Sequence, residues 1–104
     1  MLDSKGVLRK LIREAKKVGY TVCSIYDGED DHSPKNESEI IALVFNLDEC
    51  WLTFDVGNGW KKHTLYFIPN NGKDGADSLV DWGFCEDDID GFAKFMDNFT
   101  DGLG

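Results

Sequence analysis

The stretch Cys50-Trp51-Leu52-Thr53-Phe54-Asp55-Val56-Gly57-Asn58-Gly59-Trp60-Lys61-Lys62-His63-Thr64-Leu65-Tyr66-Phe67-Ile68 decides the fold. Trp51, Thr53 and Asp55 alternate with Leu52, Phe54 and Val56. A period of two is that of a strand with one face buried and one wet. Gly57-Asn58-Gly59 is a strong hairpin turn, because both glycine and asparagine tolerate the left-handed backbone that tight turns require. Residues 50–56 and 60–68 therefore read as two antiparallel strands, the second stopped at Pro69-Asn70-Asn71-Gly72.

Working toward the N-terminus, residues 38–46 hold the apolar run Ile40 to Phe45. Periodicity alone leaves strand or helix open. Asn36 followed by Glu39 has the spacing of a capping box, which favours a short helix closed at Asn46. Residues 27–37 are polar and form a loop. Residues 20–26, Tyr-Thr-Val-Cys-Ser-Ile-Tyr, are rich in β-branched and aromatic residues and read as a strand ended by Asp27-Gly28. In residues 4–18, Val7, Leu8, Leu11, Ile12, Ala15 and Val18 recur at helical spacing. Asp3 or Ser4 caps that helix, Gly19 suits the position just past its end, and Arg9, Arg13, Lys16 and Lys17 lie outward.

Working toward the C-terminus, residues 76–82 read as a strand with Leu79 and Val80 inside. Residues 86–99 read as the last helix, striped by Ile89, Phe92, Ala93, Met96 and Phe99 or Thr100. Glu86, Asp87 and Asp88 would sit in its first turn, facing the positive end of the helix dipole. The order α-β-α-β-β-β-α predicts one α+β domain over residues 1–104. Its sheet is mostly antiparallel, with about four strands and the helices packed on one face.

The 104 residues carry 11 Lys and Arg against 20 Asp and Glu, a formal net charge of −9. The charge is uneven. Residues 1–20 hold six basic and two acidic groups, whereas residues 74–104 hold nine acids against Lys94 alone. The 12% aromatic content argues for a packed core rather than disorder. No apolar run approaches the ~20 residues of a membrane span. Lys5, Arg9, Lys10 and Arg13 interrupt any signal-peptide core. Cys23, Cys50 and Cys85 are odd in number and lack close spacing, which predicts reduced thiols and a cytoplasmic protein. They show no metal-ligand spacing with His32 or His63, so neither metal nor cofactor is expected.

Several of these stretches resemble, in order, a widespread group of short phage and prophage proteins. Ser24-Ile25-Tyr26-Asp27-Gly28-Glu29 is similar to that group's Ser-Val-Tyr-Asp-Gly-Glu. Ile40 to Phe45 with Asp48-Glu49 resembles its Ile-x-x-Ala-Leu-Phe segment followed by Asp-Glu. Asn71-Gly72 and Leu79-Val80-Asp81-Trp82 resemble its Asn-Asp-Gly loop and its Val-Ile-Ser-Asp-Tyr ending. The likeness spans roughly residues 15–82. The chain departs from the group at Asp30-Asp31-His32, where a Trp and a basic residue are usual, and in its added acidic C-terminal segment. The resemblance implies a phage accessory protein and carries no catalytic residue.

The acidic C-terminal third is the predicted partner-binding site: Asp74, Asp77, Asp81, Glu86, Asp87, Asp88, Asp90 and Asp97, with Trp82 and Phe84 for specificity. Carboxylates held there could imitate the phosphates of nucleic acid before a basic groove. The plainer alternative is a solvated face that keeps the protein soluble. The expected activity is therefore non-enzymatic: binding of a host protein with a basic, nucleic-acid-handling surface, as an anti-CRISPR or anti-restriction protein would. An immunity protein against a basic toxin, or an accessory phage protein without an inhibitory role, is the alternative. The net charge disfavours direct contact with nucleic acid. The basic first helix allows a homodimer through pairing with the acidic part. Asn70 to Asp81 partly fits a calcium loop, but without a preceding helix or a bidentate Glu it reads as a turn. Trp51, Trp60 and Trp82 read as core or core-edge residues, with Trp60 the most exposed.

Overall fold

The computed structural model describes residues 2–56, 62–82 and 91–103. Its elements are α1 (Ser4–Lys17), β1 (Thr21–Tyr26), β2 (Asp31–His32), α2 (Glu37–Val44), β3 (Cys50–Asp55), β4 (Lys62–Phe67), a 3-10 turn (Gly75–Ser78), β5 (Leu79–Asp81) and α3 (Phe92–Leu103). The strands form one antiparallel sheet in the order β2-β1-β3-β4-β5. The α+β class is as the sequence predicts, with five strands where about four were expected. The turn Gly57-Asn58-Gly59 lies outside the described residues, but the register on either side is that of the hairpin, with Cys50 opposite Phe67 and Asp55 opposite Lys62.

The alternation read in residues 50–56 separates the two faces of the sheet. Cys50, Leu52 and Phe54 of β3 and His63, Leu65 and Phe67 of β4 are buried. All three helices cover that side. Phe54 meets Phe92 of α3 with ring centroids 5.4 Å apart, and Phe67 meets Phe45, just past α2, at 6.1 Å. Val7, Leu8, Leu11 and Ala15 of α1 and Ile40, Ile41 and Val44 of α2 complete the core.

The caps explain why the helices sit where they do. The Asp3 carboxylate accepts from the Gly6 amide at 2.8 Å, and Asn36 accepts from the Glu39 amide at 2.9 Å. The ambiguous run 38–46 is a helix, because that cap satisfies one of the amides a helix start leaves unbonded. Val18 departs from the sequence reading: it is the C-cap of α1 and exposed, since the chain turns at Gly19 with φ +87°.

Three other expectations need correction. The loop 27–37 contains β2, which pairs with the end of β1 after a turn in which Asp27 Oδ1 accepts from the amides of Glu29 and Asp30 at 2.8 and 2.7 Å. The strand expected over 76–82 begins only at Leu79. Residues 75–78 coil into the 3-10 turn, because the Gly75 amide donates to the Leu2 carbonyl at 3.0 Å and the Ser78 hydroxyl lies 2.7 Å from that of Ser4. A side chain at 75 would fall on the Asp3 carbonyl, so only glycine allows this approach. The helix expected over 86–99 begins at Phe92 and runs to Leu103. Gly91 holds φ +76° and its carbonyl accepts from the Phe95 amide at 2.9 Å, so it stands at the helix boundary and not inside it. Glu86, Asp87 and Asp88, expected in the first turn of that helix, lie outside the described residues.

Candidate functional site: the open face of the sheet

The face of the sheet turned away from the helices carries one row of side chains that crosses all five strands. The register places Asp31 of β2 opposite Tyr26 of β1, Tyr26 opposite Trp51 of β3, Trp51 opposite Tyr66 of β4, and Tyr66 opposite Asp81 of β5. Directly opposed residues of antiparallel strands point to the same side. The row thus reads acid, three aromatics, acid. Trp51 and Tyr66 stack nearly parallel, 4.9 Å between centroids and 7° between planes, and Tyr26 leans on Trp51 at 5.7 Å. Tyr26, Asp31 and Asp81 are exposed, and Trp51 and Tyr66 half-buried. The next row inward on this face is Ser24, Thr53 and Thr64.

Carboxylates surround the aromatic row. The Tyr66 hydroxyl donates to Glu49, which raises the phenol above its ordinary pKa. Asp27, Asp48 and Glu49 line a shallow hollow with Asn46 and Leu47 at this end of the sheet. The Asp27 Oδ2 also accepts a hydrogen bond of 2.7 Å from His32 Nε2. The Asp30 amide, His32 and the Glu29 amide, in that order, hold the Asp27 carboxyl down at about 2. The tight acidic turn between β1 and β2 is therefore a built feature, with its charge retained over the whole physiological range.

Among the described residues, the acids predicted from the C-terminal third are not gathered on one surface. Asp81 belongs to the open face, at the β5 end of the aromatic row. Trp82 follows, half-buried against the core. Asp74 lies on the helix side, in a hollow with Lys10, Thr100 and Leu103. Asp77 braces the turn, its Oδ2 accepting from the Asp74 amide at 3.4 Å. Asp97 is exposed on α3. Phe84, Glu86, Asp87, Asp88 and Asp90 lie outside the described residues, as do Trp60 and Cys85. Trp51, expected in or at the edge of the core, stands on the open face.

Sequence reasoning missed Tyr26, Asp31, Glu49 and Tyr66 as site residues. Trp51 shares its face with Thr53 and Asp55 in the alternation, and counting outward from Asn58-Gly59 pairs it with Tyr66. That count was the available signal. The pairing of β1 with β3, which adds Tyr26, is long-range and has no local mark.

The remaining reactive groups serve the fold. Burial, with a smaller contribution from Glu49, pushes the Cys50 thiol up to about 12, so it stays protonated and poorly nucleophilic. Cys23 Sγ donates to the Thr53 carbonyl at 3.4 Å where β1 bulges. His63 is buried and stacks on Phe92 at 5.0 Å. Among the described residues no group of three or more His, Cys, Asp or Glu is placed to hold a metal ion, and Asn70 to Asp81 is occupied in tying the turn to α1. Among them, too, no helix is long and apolar enough to cross a membrane. Comparison with protein-family profiles, with curated proteins and with solved structures returns no match.

Proposed function

We propose that this chain is a protein-binding module whose open sheet face docks on an arginine-rich surface of another protein. The observation that supports this is the Asp31–Tyr26–Trp51–Tyr66–Asp81 row. A guanidinium stacks on the face of Trp or Tyr and simultaneously pairs with a carboxylate, and the row offers both within one strand spacing. Tyr and Trp are also the side chains that most often dominate protein interfaces. An exposed aromatic sheet face can instead stack the bases of a single strand. Here Asp31, Glu49 and Asp81 flank the rings where such a strand would need cations for its phosphates, and the net charge of −9 opposes it further.

An arginine-rich surface is what nucleic-acid-handling proteins present to phosphates. With the phage-like sequence pattern, the reading extends to an inhibitor that covers such a surface and competes with nucleic acid. Its carboxylates would act from the open face, with Asp81 the predicted residue that takes part. The added acidic C-terminal segment would contribute to long-range attraction rather than to the docked contact.

The test is fluorescence anisotropy of a labelled arginine-rich peptide against wild type, Trp51→Ala, a double Asp31→Lys/Asp81→Lys variant, and a double Asp74→Lys/Asp97→Lys variant. The two acid variants carry the same change in charge. The reading expects loss of binding in the first two variants and near-normal binding in the third. Equal weakening by both acid variants would mean that only net charge matters and would overturn it. Binding of single-stranded DNA by wild type, abolished by Trp51→Ala, would replace it with the base-stacking alternative.

A further inference from the structure

The helix side carries a second concave surface, opposite in charge, that the open face does not use. A hollow of about 420 Å³ opens between the C-terminal half of α1, the start of β1 and the segment 34–37 that leads into α2. Its floor is apolar, built by Ile12, Tyr20, Val22 and Ile40 with Phe54 beneath. Its rim carries Arg13, Lys16 and Lys35. The size and the apolar lining with a few converging polar groups are those of a small-molecule site.

Among the described residues one acid lies on the lining, Glu37, and its charge is already paired. Its Oε1 accepts from Arg13 Nε at 2.9 Å, and its Oε2 accepts from Arg13 Nη2 and Arg9 Nη1, each at 3.0 Å. These bonds lower the Glu37 pKa, so it stays ionised and clasped. The clasp ties α1 to the first turn of α2 and fixes the wall of the hollow. Lys16 and Lys35 have no ion pair among the described residues and remain available to a ligand. The first turn of α2 holds Glu37 and Glu39, and Glu39 Oε2 accepts from the Lys35 amide at 2.6 Å, so the positive charge of the rim comes from the side chains of Arg13, Lys16 and Lys35. A protein of net charge −9 thus presents a locally cationic mouth over an apolar floor.

We propose that this hollow binds a small amphipathic anion, an acyl or aryl body that lies on Ile12, Tyr20 and Val22 with one carboxylate or phosphate between Lys16 and Lys35. A polyanion is unsuited, because beyond the rim the acidic molecule repels it and only the first few ångströms favour it. A neutral apolar compound would leave the lysines without a partner.

The probe is 8-anilinonaphthalene-1-sulfonate, an aryl monoanion, titrated into the folded protein and followed by its fluorescence and by backbone amide shifts. Octanoate and phenyl phosphate serve as competitors for the acyl and aryl arms, and octanol as the neutral control. The variants are a double Lys16→Glu/Lys35→Glu and a charge-matched double Lys62→Glu/Lys73→Glu away from the hollow. All four lysines are exposed, so folding is preserved and is checked by the amide spectrum. The expected result is saturable binding with shifts centred on Lys16, Tyr20, Val22 and Lys35, displaced by at least one competitor acid and not by octanol. The hollow variant should weaken it about tenfold, a rim-charge effect, and the control variant should leave it unchanged. Shifts centred on Trp51 and Tyr66, equal weakening by both double variants, or displacement by octanol as good as by octanoate would each overturn the proposal.

Discussion

The two sides of this molecule treat the same charge in opposite ways. On the open sheet face, acids stand beside aromatic rings: Asp31 and Asp81 close the row of Tyr26, Trp51 and Tyr66, and Glu49 accepts from Tyr66. On the helix side, the acid nearest the hollow is consumed, with Glu37 held by Arg9 and Arg13, and it is the lysines that stay available. A formal charge of −9 describes neither surface. What matters is what stands beside each carboxylate: a pair of arginines at Glu37, aromatic rings at Asp31, Glu49 and Asp81. Charge spread along the chain predicts long-range attraction, and only the fold decides where contact occurs.

The largest effect that can sharpen this contrast lies within one strand. Phe54 is fully buried against Phe92, whereas Thr53, its neighbour, faces the open side and its hydroxyl lies 3.5 Å from that of Thr64. Phe54→Ala should cost about 3–5 kcal/mol in urea unfolding, through lost burial and the cavity left behind. Thr53→Ala should stay within ~0.5 kcal/mol. Similar losses at the two positions would mean that the open face is covered in solution, by a second copy or by other residues of the chain.

Next in size is the split between stability and binding at Trp51. Truncation to Ala removes the stack on Tyr66 and the contact with Tyr26, worth ~1 kcal/mol in stability. If the row is a docking surface, the same variant should lose about 2 kcal/mol or more of affinity for the arginine-rich probe. A loss of stability with unchanged affinity, read from paired urea and anisotropy titrations, would reduce the row to a packing device. Asp31→Asn and Asp81→Asn should lie between wild type and Trp51→Ala, and their loss should fade as salt is raised, because exposed charges are screened.

How much of this was legible in the residues follows from the range of each interaction. The alternation Trp51-Leu52-Thr53-Phe54-Asp55 is local and revealed both faces of β3. The Asn36–Glu39 cap is local and decided the helix that the apolar run alone left open. What failed depended on distant partners. Residues 75–78 coil because Ser4 and Leu2, more than 70 positions away, hold them. The start of α3 depends on the backbone sign at Gly91, which composition does not encode: the same glycine reads equally as an internal cost or as a boundary. The β2 strand has two residues and exists only through its register with Ile25 and Tyr26. The candidate site was the least legible: acid density along the chain points to residues 74–101, whereas the described row draws its acids from both edges of the sheet, which only the long-range strand order brings into line.

A smaller effect tests the helix side. Glu37→Gln removes the anion that Arg9 and Arg13 share and should lower stability slightly, as exposed ion pairs do, with the difference vanishing in 1 M salt, where the Debye length is about 3 Å. The same variant releases the Arg13 guanidinium toward the hollow and should tighten rather than weaken the aryl sulfonate probe. Weakened binding together with lost stability would show that the clasp matters as a wall, and that fixing Arg13 outweighs freeing it.

The smallest effect concerns the turn that carries the acidic edge. Asp27 has its carboxyl lowered from 3.8 to about 2, by the Asp30 amide first and then by His32 and the Glu29 amide. A carboxyl whose pKa is depressed by folding stabilises the native state fully above the unfolded value, and that contribution is lost as pH falls through the native value. Wild type should therefore lose stability between about pH 4 and pH 2, beyond the loss shown by Asp27→Asn, whose side-chain oxygen can still accept from the two amides but cannot titrate. Urea midpoints taken from pH 5 to pH 2 on both proteins isolate the term. Coincident slopes would mean that Asp27 is no better held in the native turn than in the unfolded chain. Tyr26 and Asp31 are paired through this turn, so the same variant also bears on the comparison between the two sides of the molecule. Above pH 4 the arginine-rich probe should bind wild type and Asp27→Asn with nearly equal affinity, because the turn is intact in both. Weaker binding by Asp27→Asn already at that pH would show that the open face draws on the Asp27 charge itself and not only on the geometry of the turn.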